Sequence, residues 1–139
     1  MSRTVSDNLK VVQTLKPEEA RSSDTNGQGV DTKDIANDDL LVVANVGLVD
    51  DADGDETYKI KIQESSDDGN SDAYADTGDE FSIDRTDDED SVVLGQVLGV
   101  GTTRERYLRA VLVAGGTSPD IDVSVEFVFK TRSQPVNSN

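Results

Sequence analysis

The sequence predicts an all-β protein, an antiparallel β-sandwich of jelly-roll type with about eight short strands and a polar N-terminal arm. Three observations carry that expectation. Apolar and polar residues alternate with period two in several stretches, and Gly, Asp, Asn and Ser clusters separate those stretches. Nowhere do apolar residues hold the three-and-four spacing of an amphipathic helix.

Leu9 to Leu15 is a first short strand. Lys16–Pro17–Glu18–Glu19–Ala20–Arg21 follows, and its proline and two acids suit a helix start, so one helical turn is expected there. Residues 1–30 otherwise run through Ser, Asp, Asn and Gly and are expected as a loosely docked arm. Leu40 to Val49 is a nearly continuous apolar run, short enough for a buried strand. Tyr58, Ile60 and Ile62 alternate with Lys59, Lys61 and Gln63, which gives a strand with one wet face. Phe81–Ser82–Ile83 makes a short strand. Ser91 to Val100 is again a mostly apolar run, with Gly95, Gly99 and Gly101 expected to bend or bulge it. From Arg106 to Ala114, Tyr107, Val111 and Val113 share one side while Leu108, Ala110 and Leu112 share the other, so this strand is expected to be central. Ile121, Val123, Val125, Phe127 and Phe129 alternate with Asp122, Ser124 and Glu126, the clearest half-buried pattern in the chain. The sandwich is thus expected over residues 31–133, with an aliphatic core and a flexible tail over 134–139.

Composition narrows the chemistry. The chain has 139 residues and no His, Cys or Trp. That removes a Ser-His-Asp triad, a Cys nucleophile, zinc fingers, haem or iron–sulfur ligation and disulfides. The net charge is −16. It is uneven: −3 over residues 1–49, −14 over 50–90 and +1 over 91–139. A surface that acidic repels phosphate backbones and anionic lipid, so neither nucleic acid nor membrane is an expected partner. The longest apolar runs are five residues, Leu40–Ala44 and Ala110–Ala114, against about 20 for a membrane span. Asp outnumbers Glu 21 to 8 and only 6 bases are Lys. Such a surface suits high salt, where screening removes the repulsion between short carboxylates.

Two clusters invite a site. Asp50 to Glu56 resembles a calcium loop, but the EF-hand template started at Asp51 meets Glu56 where Gly is needed and Ile62 where Glu is needed. A hairpin loop turning on Asp53–Gly54 is the preferred reading. A loop cation site through Asp51, Asp53 and Asp55 is the weaker one, and no metal or cofactor is expected. Arg104, Arg106 and Arg109 cluster with Tyr107. Either their stems cover apolar surface while their heads pair with nearby acids, or they form a docking point for a carboxylate-rich partner. Carboxylate pairs alone, with no Trp to stack a sugar, do not make a glycosidase, and the chain is expected not to be an enzyme.

The order of segments carries a resemblance. The strand Leu40–Gly47 precedes Tyr58–Asn70, which ends in Gln63–Glu64–Ser65–Ser66–Asp67–Asp68–Gly69. Arg106–Tyr107–Leu108–Arg109, the Gly115–Gly116 turn and the strand Ile121–Phe129 follow late in the chain. This resembles the small β-sandwich head decoration (cement) proteins of tailed bacterial and archaeal viruses over roughly residues 38–131. The resemblance implies a non-enzymatic virion protein on the outer surface of an icosahedral capsid. It would bind the major capsid protein, form a homo-oligomer (a trimer) on the shell, and stabilise the assembled lattice by mass action. It also implies that the N-terminal arm, through Leu9 and Val11, and the Arg104–Arg109 face meet the capsid. Alternatives are another virion component such as a turret, head fibre base or tail protein, or a carbohydrate- or calcium-binding sandwich module.

Overall fold

The computed structural model describes residues 9–36, 39–84 and 91–132. Among them are nine strands: β1 (Leu9–Arg21), β2 (Thr25–Asn26), β3 (Val30–Asp31), β4 (Asp39–Val49), β5 (Thr57–Ser65), β6 (Ala75–Ile83), β7 (Ser91–Leu98), β8 (Tyr107–Gly115) and β9 (Ile121–Lys130). One sheet has the order β1-β9-β4-β7 and the other β2-β8-β5-β6, with β3 also pairing β8. All pairings are antiparallel. They are nested: β1 with β9, β2 and β3 with β8, β4 with β7, β5 with β6. Since β2 and β3 occupy one interrupted edge position, the sandwich has eight strand positions wound as a jelly roll, as the alternation predicts.

The core lies between the sheets and is mainly aliphatic. Leu40, Val42, Ile60, Ile62, Leu108, Leu112, Ile121 and Val125 are sealed from solvent around Phe127. β9 behaves as its alternation requires, with Ile121, Val123, Val125, Phe127 and Phe129 all inward. β8 is central, between β2/β3 and β5.

Several expectations are corrected. Residues 9–31 are not an arm: β1 is a full edge strand of the first sheet, and Leu15 and Val30 belong to the core. Residues 16–21 form no helical turn. They continue β1 through register shifts between Leu15, Glu18 and Arg21, where Pro17 is tolerated on an edge. Buried Arg21 fixes this irregular end by donating to the carbonyls of Lys16 (2.5 Å) and Val123 (3.4 Å). β6 begins at Ala75 and is longer than the expected strand Phe81–Ile83. Gly95 causes no bulge, and β7 pairs with β4 in unbroken register from Ser91 to Leu98. Residues 1–8 and the proposed tail 134–139 lie outside the described residues.

Thr14 stitches the two sheets. Its buried hydroxyl accepts from the Ala110 N–H (3.1 Å) and donates to the Gln28 carbonyl (2.7 Å). Gly27 N–H reaches the Ala110 carbonyl at 2.7 Å and Gln28 N–H the Thr14 carbonyl at 2.5 Å. The gap between β2 and β3 is thereby filled by a side chain from the opposite sheet, which satisfies backbone groups that the interruption would orphan.

Candidate functional site

The two sheets show unlike outer faces. On β1-β9-β4-β7, register places Val11, Val128, Leu41 and Gln96 in one row across all four strands. The next row is Gln13, Glu126, Val43 and Leu94. Val11, Leu94 and Leu98 are 64%, 60% and 57% exposed, and Leu9, Leu41 and Val92 are exposed as well. Leu9, Leu41, Leu94, Val128 and Lys130 help line a shallow groove of about 580 Å³ here. The one carboxylate in the middle of the face, Glu126, accepts from the Asn45 side-chain amide. Leu40–Val49 and Ser91–Leu98 read as buried runs, yet in β4 only alternate residues are buried, and in β7 Val97 is buried, Ser91, Val93 and Gly95 are half-buried and the residues between them face water. Exposed apolar surface assembled from several strands marks an interaction site.

The outer face of the other sheet is a closed polar belt. Lys59 pairs with Glu80 (3.1 Å) and Lys61 with Asp76 (3.2 Å). Gln63 donates to Asp76 (2.9 Å) and accepts two bonds from Arg109 (2.9 and 2.8 Å). The Arg109 guanidinium lies 4.2 Å from the centre of the Tyr74 ring, and Tyr74 donates to Asp68 at 2.6 Å. Lys61 and Gln63 hold the Asp76 carboxyl below its ordinary value, whereas burial followed by the Asp68 contact pushes the Tyr74 hydroxyl up.

The arginines of the predicted docking cluster meet acids or amides of their own chain. Arg106 forks onto Asp31 (2.9 and 2.7 Å), and that bond holds the Asp31 carboxyl low. Arg104 pairs with Asp79 at 3.3 Å. Tyr107, on the face of β8, has the Arg106 guanidinium 5.2 Å from its ring centre. Leu9 and Val11 lie on the opposite sheet, so the structure separates the two halves of the predicted contact surface.

The loops divide similarly. Asp55 accepts from Thr117 N–H (2.9 Å) and its hydroxyl (2.8 Å), and Gly54 turns at φ +78°. Tyr58 bridges this loop to the 115–120 turn, donating to the Asp50 carbonyl (2.7 Å) and accepting from Asp120 N–H (2.8 Å). The expected hairpin is corrected: β4 and β5 belong to different sheets and do not pair, so this loop is an inter-sheet connection tied to the 115–120 turn. Asp51, Asp53 and Asp55 do not converge, and among the described residues no three carboxylates could share a cation. At the far end, Ser65 and Asp67 organise residues 65–72. Asp67 accepts from Ser71 (2.8 Å) and Asp72 (3.0 Å) N–H groups, which lower its carboxyl. Glu105 faces this loop, and its hydrogen bond with Asp72, with burial and the charge of Asp72 behind it, pushes its carboxyl up to about 6.

No protein-family description matches the chain, and no curated protein matches it. Among solved structures it is similar to a protein of Bacillus endospore appendages, described as a family of disulfide-linked pili. The two share 10% identity and a TM-score of 0.46, over 91% of this chain and 90% of that one.

Proposed function

We propose that this chain is a non-catalytic structural protein of a virus particle, binding the outer face of an icosahedral head through the outer face of its β1-β9-β4-β7 sheet. One observation carries the reading: a chain of net charge −16 leaves Leu9, Val11, Leu41, Leu94 and Leu98 exposed on a single sheet face. Burying such a face against assembled coat protein contributes roughly 25 cal/mol per Å² of apolar area. Binding to the lattice but not to free subunits then stabilises the shell. Leu9 and Val11 belong to this face; the arginines, already paired within the chain, serve the fold. The acids of residues 50–84 lie in the connections and on β5 and β6, off the apolar face, where they keep particles apart by repulsion.

Co-sedimentation of the purified chain with heads lacking it tests this. Binding should saturate at a fixed ratio to capsomers. Val11→Asp with Leu41→Asp should abolish it at unchanged melting temperature, and Arg106→Gln should leave it intact. Binding that survives the apolar substitutions, or no binding at all, defeats the proposal.

A further inference from the structure

Each sandwich sheet ends in two edge strands, and an unprotected edge is a template for another strand. Three of the four edges here are protected. β1 carries Lys10, Lys16, Glu18 and Glu19 along with Pro17 and its bulges. β6 carries Asp76, Asp79 and Glu80. The β2/β3 edge is broken at residues 27–29 and plugged by Thr14. β7, Ser-Val-Val-Leu-Gly-Gln-Val-Leu, has no charge, no proline and no register shift, although 30% of the chain is charged. Among the described residues, Val92 to Leu98 pair with β4 alone.

We infer that β7 is a self-association edge, on which β7 of a second copy adds antiparallel about a two-fold axis at Leu94. Charge selects the occupant and its direction. In the sequence, Asp87, Asp88, Glu89 and Asp90 directly precede β7, and residues 99–103 directly after it are uncharged. Antiparallel addition puts the N-terminal ends of the two β7 strands at opposite ends of the seam, whereas parallel addition would bring the ends that follow the two acidic runs together. The neighbouring β6 edge is compatible with close approach, because Asp76, Asp79 and Glu80 are each neutralised by Lys61, Arg104 and Lys59. Pairing uses main-chain groups, so Val92, Leu94 and Leu98 stay on the outer face. Two four-stranded sheets become one of eight, with a single apolar face of twice the extent. The inference stands on the edge and not on head binding.

The absence of cysteine gives a clean test. Sedimentation equilibrium of the full chain should show a monomer–dimer transition, and Leu94→Lys should move its midpoint at least about tenfold higher in concentration. Leu94 is 60% exposed, so this variant should keep the wild-type melting curve. Leu94→Cys should oxidise to a disulfide-linked dimer, since paired strands bring Cα atoms within about 4.4–6.8 Å. Leu48→Cys, equally exposed but outside β7, should not. A monomer at every concentration, equal crosslinking at both positions, or protection of β7 amides from exchange only when heads are added would overturn it, the last in favour of a coat-protein strand.

Discussion

The Phe81 ring occupies the space that a side chain at position 95 would need: a Cβ on Gly95 would lie 2.4 Å from the ring's Cε1. β6 and β7, edges of different sheets, close one side of the sandwich through this contact. Gly95→Ala should therefore destabilise by about 1–3 kcal/mol from overpacking. Phe81→Leu in the same chain should recover part of the loss. Urea unfolding of the two single variants and the double variant checks the coupling.

Thr14→Val keeps the shape of a buried side chain and deletes its hydroxyl. The Ala110 N–H then loses its acceptor inside the structure. The expected cost is about 1–3 kcal/mol. Thr14→Ser, which keeps the oxygen, should cost less. Chemical denaturation separates the two, and an exchange rate for the Ala110 amide that rises only in the valine variant would locate the loss.

Glu105 should make stability depend on pH in a direction opposite to Asp31, Asp67 and Asp72. Its folded value of about 6 lies above the ordinary 4.5, because it shares a proton with Asp72 and faces Glu64 and Asp67. A raised acid binds its proton more tightly when folded, so its contribution is complete below about 4.5 and is lost as pH rises through about 6. Asp31, Asp67 and Asp72, all held low, contribute stability above the ordinary aspartate range and lose it as pH falls below that range. Glu105→Gln should raise the melting temperature at neutral pH, with the gain vanishing in mild acid. A melting curve for each chain across that range is the measurement.

The net charge of −16 predicts that dilute buffer is a poor environment. The Debye length falls from about 30 Å at 0.01 M salt to about 3 Å at 1 M, which screens repulsion among the acids of residues 50–56 and 67–72. The melting temperature should rise with sodium chloride and change least in a variant with Asp51 and Asp53 replaced by Asn.

What the sequence makes legible follows from what each side of a strand touches. β9, Val128 apart, and β5 from Tyr58 to Gln63 alternate apolar with polar, so the apolar residues of their buried faces can be named from the pattern. β4 and β7 are apolar at both parities, and such a run reads equally as a strand buried on two sides. Only the strand order shows that one of those sides faces water and joins Leu9 and Val11 in a single surface. β1 hides for another reason: Pro17, Glu18 and Glu19 obey helix-start rules locally, and the cross-chain anchoring of Arg21 by the Val123 carbonyl overrides them. The pairing of Arg106 with Asp31 spans 75 residues of chain, so the scarcity of basic residues drew attention to the cluster without revealing its partners.

The nested pairing also fixes when the protein can finish folding. Among the described strands β1 is made first, and β9, with which it pairs, is made last. β9 is also the strand that joins β1 to β4. Val12 and Leu15 must wait for Phe127 and Val125 to be made, and a chain stopped before residue 121 leaves β1 without its sheet partner and β4 paired with β7 alone. Closure is therefore dominated by long-range contacts and slow for a domain of this size.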